Sequence, residues 1–206
     1  MNILAIGAHP DDIEYGCGGA LLKFKKEQNT EIFLFVATYG DFAGSADVRM
    51  KEQEESIKKL GAKKLFWGGF MDTKLSAGRE LIERIEEAVK EADPDLIFVN
   101  FPEDEHQDHR ALAESAIVAS RYRRKVLFYE DYTCKRYNPD VFVDIGSVLD
   151  DKVDLLKCHK SQVKRDYPTG LDMVESVKAV ANFRGFQAKV KYAEGFKSLR
   201  YLLDKI

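Results

Sequence analysis

The sequence predicts an α/β fold, a Rossmann-like three-layer α/β/α sandwich around a mostly parallel sheet, and three observations lead there. Short apolar runs rich in β-branched and aromatic residues recur at 3–8, 32–38, 64–67, 96–101 and 126–129. Segments with helical spacing of apolar residues separate most of them. The runs are apolar without strict alternation, as expected of parallel strands covered by helices on both faces.

The elements follow in order. After the first strand a helix is expected over 13–27, and after the second over 47–60, ending at Gly61 with Asp47 as its N-cap and Lys58 and Lys59 suiting its C-terminal pole. A third helix runs over 78–92 and stops before Pro94, and a fourth covers 107–120. Asn138 and Pro139 open a further apolar stretch at 141–145, and Ser147 is the expected cap of a helix reaching His159. From Ser161 onward the periodicity fades. The loop 39–46, with two glycines directly after a strand, is the candidate mobile element.

At 206 residues the chain suits one domain spanning 1–206, with no repeat, low-complexity tract or linker. Its charged share of 33% exceeds the usual quarter or so and suggests surface ion pairing. A net charge of -3 offers no basic field for nucleic acid. The basic cluster at 121–125 is read as a solvated helix end. Cys17, Cys134 and Cys158 are too few and too scattered for a disulfide framework or a thiolate metal site, which fits a reducing cytoplasm. The first apolar stretch meets Asp11 and Asp12 too soon for a signal peptide, and no run is long enough to span a membrane.

Three of the four histidines fall in two short motifs, His9-Pro10-Asp11-Asp12 and His106-Gln107-Asp108-His109, each where a buried strand should end. Ligands of parallel α/β folds gather at the carboxyl ends of strands, so topology brings the motifs together. His9, Asp12 and His109 supply two imidazoles and one carboxylate, a donor set that leaves positions open as catalytic zinc sites do. Asp11 is placed to act as general base and His106 to give a proton or hydrogen bond to an oxyanion or leaving group. Asp108 could orient one imidazole through its second nitrogen.

Each motif alone has a plainer reading, a helix N-cap for the first and a solvated turn for the second. Their joint appearance at two strand ends favours the metal. Gly16-Cys17-Gly18-Gly19 lies inside the first helix and lacks the dinucleotide-binding spacing, so it indicates close packing or access past a small-residue surface.

These residues resemble the LmbE/PIG-L family of zinc-dependent N-acetylglucosaminyl deacetylases. The likeness rests on Ala8-His9-Pro10-Asp11-Asp12 followed by Glu14, and on His106-Gln107-Asp108-His109, where Gln107 replaces the family's usual proline. It extends to Arg49 with Glu52, to Asp72, to His159-Lys160-Ser161-Gln162 and to Tyr192-Ala193-Glu194-Gly195-Phe196. The resemblance implies Zn2+ held by His9, Asp12 and His109, with Asp11 as base and His106 steadying the tetrahedral intermediate. It also implies removal of an acetyl group from a small amino-sugar substrate, contacted by Arg49 and Asp72. The residues leave two plainer roles open there, since Arg49 could pair with Glu52 on one helix face and Asp72 could be a turn residue. The group attached to the sugar stays open.

Relatives often form homo-oligomers, and the stretch 183–186, with Phe183 and Phe186, could serve in such a contact. Two rivals remain at this stage: a non-haem iron oxygenase, which also uses two histidines and a carboxylate, and a sugar- or metal-binding module without turnover. The unligated Asp11 argues against the first, and retention of both Asp11 and His106 argues against the second.

Overall fold

The structure is a computed structural model that describes residues 1–28 and 30–203. The chain opens with β1 (Asn2–Gly7), α1 (Asp12–Gln28), β2 (Glu31–Thr38), α2 (Ala46–Leu60), β3 (Lys64–Phe70), α3 (Arg79–Ala92), β4 (Leu96–Asn100), α4 (Gln107–Ala119) and β5 (Lys125–Tyr129). It continues with β6 (Val141–Asp144), α5 (Leu149–Leu156), α6 (Lys160–Val163), α7 (Met173–Ala188) and β7 (Ala193–Tyr201).

The strands form one seven-stranded sheet in the order β3-β2-β1-β4-β5-β7-β6. The first five are mutually parallel, with Ile3 opposite both Ile32 and Leu96, and β7 runs antiparallel to β5 and to β6. One apolar cluster joins a face of the sheet to Leu81, Ile85 and Ala88 of α3 and to Leu112 and Ala116 of α4. A second joins the opposite face to Cys17, Ala20 and Leu21 of α1 and to Leu155 of α5. Both sides of the sheet are thus covered, which explains why its central strands carry apolar residues without alternation.

The order of strands reverses between β1 and β4. The loops after these strands carry His9 and His106, so both motifs open into the crevice where α/β folds bind ligands.

The glycine cluster in α1 serves close packing. A Cβ on Gly16 would lie 2.1 Å from the Tyr129 ring, and one on Gly19 would lie 2.8 Å from Glu194 Oε1. Glu194 accepts from the N–H groups of Gly19 and Ala20, while Lys152 Nζ donates to the Tyr15 carbonyl and pairs with Glu194. A lysine–glutamate pair therefore inserts into the backbone ladder of α1.

Several expected boundaries shift. Ser45, not Asp47, is the N-cap of α2, and its side chain makes no capping bond. Asp47 sits inside the first turn, where its charge still favours the helix dipole. The helix expected from Ser147 to His159 is α5, with Val148 at its N-cap, and His159 instead precedes α6. The region beyond Ser161, weakly periodic in sequence, holds α7 and β7. β7 mixes buried and half-exposed positions and carries Glu194, Lys197 and Arg200, which hides it from an apolar-run reading. The basic stretch ends α4 as expected, with Arg121 on Glu86 and Arg123 on Asp93. Among the described residues no helix is long and apolar enough to cross a membrane.

Candidate metal centre

The turn after β1 is fixed by backbone donors. Asp12 Oδ2 accepts from the N–H groups of Ala8 (2.9 Å) and His9 (3.0 Å) and from Asn100 Nδ2 (3.3 Å). The carboxylate therefore reaches back to the strand end and is held rigidly there, in place of capping the helix that follows. Asn100 is itself placed by Tyr129, whose hydroxyl donates to Asn100 Oδ1 and lies at 2.9 Å from both that atom and the Ile6 carbonyl.

Two imidazoles flank this carboxylate. His9 Nδ1 lies 3.6 Å and His109 Nε2 3.4 Å from Asp12 Oδ2. Each ring has its far nitrogen against another acid: His9 Nε2 is 3.2 Å from Asp108 and 3.0 Å from Asp72, and His109 Nδ1 is 3.2 Å from Asp104. With protons on the far nitrogens, the lone pair of each near nitrogen faces the same carboxylate oxygen. That arrangement is repulsive unless a positive charge lies among them.

Titration of the cluster reflects the same field. Burial alone would strip the proton from His109, but the Asp12 charge and the Asp104 contact outweigh it and raise its pKa to about 10. Burial likewise opposes charge on His9, yet Asp108, Asp12 and Asp72 hold its pKa well above the ordinary value. Asp12, despite its burial, is held well below the usual carboxylate range by His109 and His9.

The two separations from Asp12 Oδ2 have the length of a ligand–ligand edge on a divalent ion. Two ligands on a tetrahedral ion with bonds of about 2.0–2.1 Å lie roughly 3.3 Å apart, close to the 3.4 and 3.6 Å found here. Carboxylates behind both imidazoles match the way metal-binding histidines are oriented and made basic. Donor atoms of His9, His106 and His109 lie within 4.8 Å of one another, as do those of Asp12, His109 and Asp131 and those of His9, Asp72 and Asp108. Among the described residues His9, Asp12 and His109 are not together one of these groups; Asp12 Oδ2 approaches each of the two rings separately.

Asp11 occupies a strained position, with φ at 99°, in a region a non-glycine residue rarely visits. Arg49, buried on α2, stabilises it by donating to the Pro10 carbonyl and lying 3.4 Å from Asp11 Oδ1. Burial raises the Asp11 pKa against the lowering effect of Arg49 and His159. Glu52 does not pair with Arg49; it accepts from the Ser161 N–H and hydroxyl, tying α2 to α6.

His106 is the N-cap of α4, and its Nδ1 accepts from the Asp108 N–H at 3.2 Å. That bond leaves the proton of the neutral ring on Nε2. Burial and the neighbouring His9 and His109 lower its pKa, so the ring is a neutral hydrogen-bond donor.

His9, Asp11, Arg49, Asp72 and His106 line a common cavity of about 210 Å³. Asp72 meets it while engaged on both sides, with Oδ1 on His9 and Oδ2 accepting from the Phe42 N–H at 3.0 Å. Sequence reasoning passed over Asp104, Asp131 and Asn100. Asp104 also accepts from the His106 N–H at 2.7 Å, and Asp131 is a buried acid whose pKa burial raises to about 7. Their one signal is position, just beyond the ends of β4 and β5 or at the last residue of β4.

Comparisons with known proteins place the chain in a family and a fold. The family described as PIG-L, GlcNAc-PI de-N-acetylase, matches residues 4–120. An uncharacterised deacetylase of Escherichia coli K12, YaiS, is 32% identical over 78% of this chain and 91% of its own length. The diacetylchitobiose deacetylase of Thermococcus kodakarensis is 27% identical over 95% of this chain and 82% of its own. Among solved structures, the conserved protein TT1542 of Thermus thermophilus superposes with a TM-score of 0.88 at 27% identity, covering 100% of this chain and 97% of that one.

Proposed function

The chain belongs to the PIG-L (LmbE-like) deacetylase family, and on that premise we propose that it is a zinc-dependent hydrolase that removes the N-acetyl group from an N-acetylglucosamine-type sugar. The observation that carries the reading is the convergence of His9 and His109 on one oxygen of Asp12, with the strained Asp11 next in sequence. His9, Asp12 and His109 would hold the ion. Once bound, it supplies Lewis acidity toward the acetamide carbonyl and makes a water more acidic at neutral pH.

The chain's own residues do the rest. Asp11 takes a proton from the attacking water, and its raised pKa suits it to keep that proton and return it. As the new C–O bond forms, negative charge develops on the carbonyl oxygen, and the Nε2–H of neutral His106 donates to it. The C–N bond then breaks, the amine nitrogen receives the proton from Asp11, and acetate and the free amino sugar leave. Arg49 keeps Asp11 in place through the Pro10 carbonyl. Residues 1–206 act together as one catalytic domain, and exposed Phe183 and Phe186 offer a contact between copies.

A general base beside the ion is not needed for oxygen activation, so Asp11 favours hydrolysis over the iron-oxygenase alternative. The test is acetate release from a panel of N-acetylglucosamine derivatives by the zinc-loaded protein under anaerobic conditions. Asp11→Asn is expected to keep its zinc and lose about 10²–10⁴-fold in kcat. Turnover at the parent rate by that variant, or activity that requires iron and oxygen, contradicts the proposal.

A further inference from the structure

The wall of the catalytic cavity formed by Tyr132 and Tyr167 has a second side. There a cleft of about 120 Å³ opens between these rings and Leu171, Asp172, Met173 and Ser176. The two tyrosines line both spaces, so the cleft adjoins the place where the sugar is proposed to bind.

The cleft presents ring faces and aliphatic surface, with little free hydrogen-bonding capacity. Ser176 Oγ is paired with the Tyr15 hydroxyl at 2.6 Å, and the Tyr167 hydroxyl donates to Met173 Sδ at 3.4 Å. Asp172 Oδ1 caps α7 by accepting from the N–H groups of Val174 and Glu175 at 2.7 and 2.9 Å. Its carboxylate is the one charged group among the lining residues, and it is negative. The Tyr132 ring is steadied edge-on against Tyr15 at 5.3 Å, yet remains 58% exposed, and Leu171 is 65% exposed. Apolar surface of this kind beside a reaction centre is an uncovered binding face, and its charge disfavours an anion.

We propose that the Tyr132–Tyr167–Leu171 cleft is a second substrate subsite that receives an uncharged, ring-shaped group attached to the amino sugar. The proposal rests on the deacetylase reading for what occupies the adjoining cavity. A second pyranose and an aryl aglycone share the required chemistry, an apolar ring face that stacks on tyrosine. Binding energy from this remote group would be expressed in kcat/KM.

The test compares acetate release by the zinc-loaded enzyme from N-acetylglucosamine, its benzyl glycoside, its 4-carboxybenzyl glycoside and N,N'-diacetylchitobiose. The benzyl glycoside is expected to exceed the bare sugar by about tenfold in kcat/KM, and the 4-carboxybenzyl glycoside, alike but for its charge, to lose most of that gain. The chitobiose arm tells whether a sugar ring is accepted as well as an aryl one. In Leu171→Glu the ratio of benzyl glycoside to bare sugar should fall toward one, whereas mere loss of structure would lower both rates and keep the ratio.

Saturation-transfer NMR of the benzyl glycoside on the metal-free protein supplies a second readout, with aglycone signals expected in the parent and lost in the variant. Equal kcat/KM across the substrates, an unchanged ratio in a variant that keeps the parent's rate on the bare sugar, or preference for the anionic glycoside overturns the subsite. Failure of the two readings is distinguishable: aglycone signals without hydrolysis of any acetamide sink the deacetylase alone, and unselective hydrolysis without such signals sinks the subsite alone.

Discussion

Two buried polar clusters border helix α1, and they are built differently. At its middle, Lys152 and Glu194 face each other and saturate one another and the Tyr15, Gly19 and Ala20 backbone groups. At its start, His9 and His109 are surrounded by Asp12, Asp72, Asp104 and Asp108. The first is one cation on one anion, with hydrogen bonds completing it. The second has more acid than base and can be balanced only by taking up protons or a cation. Comparable burial thus has two outcomes: a closed structural clamp and a centre that requires something from outside.

The largest effect should come from opening the clamp. Lys152→Met leaves Glu194 buried without its partner, which is expected to cost about 3–5 kcal/mol of stability, read by urea unfolding. Glu194→Gln added to that variant should restore part of the loss, and independent, additive losses would mean the pair is not a unit.

The acids of the proposed metal centre should act through affinity. Asp104→Asn removes the carboxylate behind His109 and is expected to weaken zinc binding by about 10–100-fold, measured by competition with a chelating dye. Unchanged affinity would show that His109 needs no such support.

A smaller and graded difference should appear with pH. The His109 pKa rises to about 10 when folded, against about 6.5 when unfolded. A raised folded pKa stabilises fully below the unfolded value, and that stabilisation is lost as pH climbs through the folded one. The metal-free protein should therefore lose stability between roughly pH 6.5 and 10. On the proposed ligation zinc replaces the proton on the imidazole, so its affinity should rise across the same window, as thermal unfolding with and without the ion would reveal. The Lys152–Glu194 clamp should add no such coupling to zinc.

The same contrast explains what could be read from the sequence. Central strands announce themselves because both faces are buried, as in Ile3 to Ile6 and Ile32 to Val36. His9 and Asp12 stand out because they directly follow such a run, and His109 because it repeats the pattern. Partners that meet only through tertiary folding carry no local mark. Glu194 reaches Lys152 across 42 positions, and Asp104, Asp131 and Asn100 look like ordinary loop or strand-end residues until β1, β4 and β5 lie side by side. The turn at Asp11 drew notice in the sequence for its carboxylate and not for its backbone, since its positive φ and the Arg49 bond to the Pro10 carbonyl exist only in the folded chain.

The claim on which the account turns is that His9, Asp12 and His109 share one ion. X-ray absorption fine structure of the zinc-loaded protein measures this directly. Two imidazole nitrogens at about 2.0–2.1 Å with oxygen completing the shell is the expected result. A shell with a single imidazole, or sulfur at about 2.3 Å, would contradict it.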